Sequence, residues 1–230
     1  LAFCEFVKFV GLTRSGENWS EAPFAQDPAS WLEELRKSGV HAIRMTYMPS
    51  GRNLGGATDR MLVGFVGGGG RWLLETTGTN GSDYWEGRWE IGDQNRPDRK
   101  IWQVTYGRIA ANQPSSAHTS SDLQSLKQRL TKNLTEISAF ARRHNLEGFA
   151  KAFESGLSNL ASSSPGAGLH HNDLLTTGMS LAAAQLLPAA QSSWVSGGMG
   201  SWNDLGFEGD EQRTYEDLSE GLYRLINDSI

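Results

Sequence analysis

MLVGFVGGGGRWLLETTGTNGSDYWEGRWEIGDQNRPDRKIWQVTYGRI, residues Met61 to Ile109, is the stretch that decides the fold. Short apolar or alternating runs are broken by glycine-rich and charged turns, the pattern of consecutive antiparallel strands. In DYWEGRWEI, Trp85, Gly87, Trp89 and Ile91 share one face, and Tyr84, Glu86, Arg88 and Glu90 share the other. A strand of this kind has one dry and one wet side. In KIWQVTYGRI, Trp102, Val104 and Tyr106 alternate with Ile101, Gln103 and Thr105. Trp72, Trp85, Trp89 and Trp102 are therefore expected to fill the core of a sheet. MLVGFV is expected to be a strand, with Gly67–Gly70 as the loop after it.

Working outward from this stretch, Ala2–Leu12 and Val40–Met48 read as two further strands. RSGENWSEAPFAQ reads as a polar connection. Asp27-Pro28 is a helix start, with a capping carboxylate followed by proline at the first helical position. Trp31, Leu32 and Leu35 then share a face, and Gly39 stops the helix. After Ala110 the composition changes, and NQPSSAHTSS reads as a linker. Leu123, Leu126, Leu130, Leu134, Ile137 and Ala141 keep helical spacing behind a capping Asp122. Asn145 opens a second stripe through Leu146, Phe149, Phe153, Leu157 and Leu160, and the two predict a helical hairpin. A partly helical segment follows, with Gly178 and Pro188 as interruptions, then a last helix capped by Thr214. The expected class is α+β. An antiparallel β-meander in the N-terminal half packs against a mostly helical C-terminal half, in one domain over 1–230 or as subdomains 1–113 and 114–230.

Composition narrows function mostly by exclusion. The chain has 230 residues and a net charge of −5. It has no basic tract, which argues against double-stranded nucleic acid. LAFCEFVKFVGL is short and carries Glu5 and Lys8, so it predicts neither a signal core nor a membrane span. Cys4 is the one cysteine, and a cytoplasmic setting is expected from it. Cys4 and His41 would form a thiol–imidazole pair if their strands were neighbours, whereas the alternation of Cys4 with Ala2 and Phe6 predicts an inert buried thiol. Four Asn-X-Ser/Thr sequons read as chance in a Ser/Thr-rich chain.

His170, His171 and Asp173 cluster metal-ligand types, but adjacent histidines on a helix diverge by about 100°, and no metal or cofactor is expected. Gly67–Gly70 lacks the lysine and following helix of a phosphate loop. Arg96 to Lys100, with Arg108 nearby, reads equally as a small basic rim for an acidic partner or as a polar turn. The most unusual string is Ser196–Asp204, SGGMGSWND. Three glycines permit close backbone approach, and Trp194, Met199, Ser201, Trp202, Asn203 and Asp204 are the candidate contact residues. The competing reading is a tight turn whose tryptophans plug the core. No catalytic constellation stands out and tryptophan is plentiful, so the function expected is a non-enzymatic cytoplasmic accessory factor that binds a protein partner or itself. The alternative is a small enzyme acting on a small polar or phosphorylated ligand at loop 197–204.

Overall fold

The computed structural model describes residues 3–15, 18–51, 56–114, 122–166, 169 and 174–230. Its element order is β1 (Cys4–Ser15), β2 (Asn18–Ala25), α1 (Pro28–Lys37), β3 (Ala42–Met48), α2 (Asp59–Leu62), β4 (Arg71–Gly78), β5 (Gly81–Ile91), β6 (Trp102–Gln113), α3 (Leu123–Arg143), α4 (Glu147–Ala161), α5 (Leu181–Ser192) and α6 (Gly209–Asp228). The protein is α+β, with the strands early and the helices late. Two compact units emerge: Leu1–Met48 with Arg71–Ala117, and Pro49–Gly70 with His118–Ile230. The connection between the neighbouring strands β3 and β4 is thus built into the helical unit.

The sheet runs β2-β1-β6-β5-β4-β3. It is mixed, because β1 lies parallel to β6 while every other neighbour is antiparallel. The expected pure meander is corrected in two further places. NWSEAPFA is strand β2, although its proline and polar residues read as a connection. An edge strand need not alternate, since one of its sides has no ladder to satisfy. MLVGFV is not a strand: Met61 and Leu62 end the short helix α2, and Val63–Val66 turn. A short apolar run carries no period of its own, so neighbouring chain decides its conformation.

The face predicted to be dry is dry only in its middle. Phe9 stacks on Trp31 at 4.3 Å and on Tyr106 at 5.4 Å, and Trp85 meets Phe9, Phe24 and Trp31 edge-on at 5.0–6.0 Å. Trp85 is fully buried there with Val7, Leu35 and Val104. Trp89, expected in the core, is 58% exposed, and Trp72 and Trp102 are half-buried. The lid explains the difference. α1 has ten residues, about 15 Å of helix, which covers the Phe9–Trp85 centre and not the outlying rings. The opposite face is wet at one end, where Glu21–Arg88 and Arg71–Glu86 pair across strands. The same face buries Val10, Leu73 and Thr105, the last two directly opposite Glu86 and Arg88 in the ladder.

The helix signals hold at α1 and α3. Asp27 accepts from the Ser30 amide in a full capping box, Gly39 takes a left-handed φ of 81°, and Asp122 caps α3. α3 and α4 form the expected hairpin, and Leu126, Leu130, Leu134, Ile137, Phe140, Phe153 and Leu160 are buried in one cluster. Two expectations fail. Pro188 lies inside α5, where its carbonyl also accepts from the Ser192 hydroxyl at 2.7 Å. Thr214 is not a cap, because α6 starts at Gly209 behind Glu208 with Asp210 and Glu211 in its first turn. Carboxylates there complement the helix dipole, an alternative to a capping hydroxyl.

The rim at Arg96–Lys100 is self-satisfied at its centre. Arg96 binds Asp98 through Nε and Nη2 and reaches Glu5 through Nη1. Its guanidinium, with the Lys100 amide, holds the Asp98 carboxyl down at about 2. A lowered carboxyl favours the folded state above its ordinary value of 3.8, and that contribution disappears as pH falls towards 2. In an NMR titration the Asp98 carboxyl should titrate near pH 2, and Arg96→Gln should move it up towards 3.8. Trp85→Ala should lower stability by about 3–5 kcal/mol in denaturant unfolding, as for other large buried rings.

Candidate functional site

The loop singled out in the sequence is organised around one buried side chain. Arg60, on α2, is 1% exposed. Its Nε donates to Glu220 Oε1 at 2.8 Å and its Nη1 to Asn203 Oδ1 at 2.9 Å. Asn203 Nδ2 in turn donates to the Arg60 carbonyl at 2.7 Å. The guanidinium carbon lies 5.6 Å from the Tyr215 ring centroid, and burial pushes the Tyr215 hydroxyl up. Thr58 caps α2 and also donates to Glu220. A buried charge is tolerated best when paired and hydrogen-bonded, and here a carboxylate takes Nε, an amide takes Nη1 and a ring lies against the guanidinium, while Nη2 is buried with no hydrogen-bond partner among the described residues.

The six predicted contact residues then divide. Trp202 is core: its indole donates to Ser219 Oγ at 2.7 Å, and Phe149, Phe153 and Tyr215 surround it at 5.1–5.5 Å. Ser201 caps a 3-10 turn over Trp202–Asp204 and donates to the Gly197 carbonyl. Asn203 serves Arg60, and Asp204 accepts from the Gly200 amide. Trp194 and Met199 behave differently. Trp194 lies against Tyr223 at 5.7 Å yet stays 40% exposed, and Met199 is fully exposed.

A second loop joins these two. A Cβ on Gly64 would collide with the Gly197 carbonyl oxygen, so the loops touch backbone to backbone. Beside Gly64, Phe65 is 70% exposed and Val66 fully so. Phe65, Val66, Trp194 and Met199 thus lie within three residues of one loop-to-loop contact. Behind it, the Tyr223 hydroxyl holds the Gly69 carbonyl at 2.6 Å. Reading MLVGFV as a buried strand hid Phe65 and Val66. The glycines on both sides of Phe65-Val66 were the available signal for a projecting loop. Nothing local marked Arg60 as buried.

The sheet unit has a separate cleft of about 280 Å³ between the end of α1 and the β4–β5 turn. Asp83 and Arg108 pair across it at 3.1 Å, and Arg108 also lies over Phe24 and Trp85 at 5.5 and 5.6 Å. Arg108 therefore belongs to the Trp85 face, in register with Trp85, and not to the wet face. Cys4 and His41 do not meet. Three strands separate β1 from β3, about 19 Å at ordinary strand spacing. Cys4 is half-buried rather than enclosed. His170, His171 and Asp173 lie outside the described residues, and among the described residues no three or more His, Cys, Asp or Glu gather as metal ligands would. No described helix is long and apolar enough to cross a membrane. No protein-family model, curated protein or solved structure matches the chain.

Arg60→Leu should cost about 2–3 kcal/mol by thermal or urea unfolding, because Asn203 and Glu220 lose a buried donor. Gly64→Ala should lower the melting temperature and change Trp194 fluorescence, since the added methyl must separate the loops.

Proposed function

We propose that this chain is a non-enzymatic cytoplasmic binding protein whose Phe65, Val66, Trp194 and Met199 loops engage a protein partner or a second copy. The single observation that carries this reading is the exposure of all four apolar side chains around one fixed loop contact. Exposed apolar groups gathered in one place gain most by being covered, and pinned loops lose little entropy when that happens. Trp and Met are also among the residues enriched in contact surfaces. The groups that a small-ligand site at this loop would use, Ser201, Asn203 and Asp204, make hydrogen bonds within the loop or with Arg60. The cytoplasmic setting rests on the single cysteine.

Light scattering of the natively purified chain should give a complex of fixed stoichiometry or a dimer. Val66→Asp with Met199→Asp should weaken it at least tenfold, about 1.4 kcal/mol, with melting temperature unchanged. A monomer at all accessible concentrations, with no partner in fixed ratio, would overturn the reading.

A further inference from the structure

The two edges of the sheet are built differently. At β2 the edge is blunted: Pro23 has no amide to offer, Glu21 is held by Arg88, and the register with β1 shifts between Phe9 and Val10. Proline, charge and bulges are the devices that stop an edge strand from pairing with another chain. At β3 two of these are missing. Its register with β4 is unbroken from Ala42↔Thr77 to Met48↔Arg71, and its sequence AIRMTYM contains no proline. Among the described strands β3 pairs with β4 alone. Ile43 and Met45, which share a face, are exposed, Met45 at 55%.

Beside this edge, on the side that carries α1, lies a groove of about 360 Å³. Leu32, Leu35, Val40 and Ile43 supply its apolar lining, and Arg36 and His41 its polar lining. Leu35 is buried while Leu32 and Ile43 stand open, so the groove has a dry base and an open apolar wall. The one charge of β3, Arg44, points to the opposite face. Neither Arg36 nor Arg44 forms an ion pair among the described residues, although Glu75 stands opposite Arg44 in the β3–β4 register; the neighbouring Lys37 is taken by Glu34 at 2.7 Å.

These features describe the missing strand. A segment added to β3 would direct alternate side chains to the two faces. On the groove side it would meet Leu32, Val40 and Ile43 and would need apolar residues. On the other side it would meet Arg44 and would need carboxylates, with Arg36 adding positive charge at the groove rim. We propose that the β3 edge from Ala42 to Thr46 accepts an extended segment of a partner protein as a seventh strand, and that this segment alternates apolar and acidic residues. Strand addition of this type takes its affinity from main-chain hydrogen bonds and its selectivity from the alternate side-chain pockets. A second copy of β3 fits poorly, because it brings another Arg44 to a side where like charges oppose each other. The proposed site shares no residue with the Phe65–Met199 loop pair and does not depend on it.

The test uses a fluorescein-labelled, end-capped eight-residue peptide of alternating Val and Glu, with the Val/Lys peptide as its control. Anisotropy should show saturable binding of the Val/Glu peptide only. Amide hydrogen exchange should slow within residues 42–46. Arg44→Glu and Leu32→Asp, both at exposed positions, should each weaken binding at least tenfold while the circular dichroism spectrum is unchanged. Val66→Asp with Met199→Asp should leave peptide affinity intact, so this proposal and the loop-pair reading can fail independently. Equal binding of the Val/Lys peptide, protection confined to other strands, or insensitivity to Arg44→Glu would overturn the proposal. Protection of 42–46 that grows with protein concentration and without peptide would overturn it in favour of a second copy.

Discussion

The helical unit depends on the demand that a buried guanidinium be satisfied. Arg60 finds its partners on two separate segments of the chain: Asn203 in the glycine-rich loop, and both Glu220 and the ring of Tyr215 on α6. None of these could move away without leaving a charge or a donor stranded in a poor solvent. The same contacts draw α2 and its flanking turns in among the helices, although the chain on either side of 49–70 belongs to adjacent strands of the sheet. Such an ion pair is a weak source of net stability, but removing one partner strands a buried charge and is strongly destabilising. Here that penalty holds two loops whose tips are apolar and uncovered.

The sheet unit follows a different constraint, the reach of its lid. One short helix can dry only the middle of a six-stranded face. Phe9, Trp31 and Trp85 take that place and gain from stacked and edge-on geometry as well as from burial. Rings farther out, such as Trp89, remain in contact with water. The flank of the same helix forms one wall of the groove beside β3. Core and groove are thus two consequences of where α1 lies.

Much of the local structure was legible. The caps at Asp27 and Asp122, the stripes of α3 and α4, and the face assignments of β5 and β6 all follow from short-range rules of hydrogen bonding and period. Legibility failed where a residue's neighbours came from far along the chain. β2 was missed because half of its pattern answers to solvent. MLVGFV was misread because an apolar run of that length suits a strand or a packed turn equally. At the candidate loop, the indoles of Trp194 and Trp202 have the same chemistry, yet one is a core plug and the other a surface ring.

By itself, then, the sequence determined an α+β chain, strands first and helices after, with its main helix starts and its alternating faces, because propensity, capping and periodicity act over a few residues. Tertiary structure alone decided the parallel pairing of β1 with β6, the burial of Arg60, the exposure of Phe65, Val66 and Met199, and the place of β3 at the end of the strand order among the described strands. Each of these depends on which distant segment covers a given surface, and the free energy of burial depends on that covering partner as well as on the residue being covered.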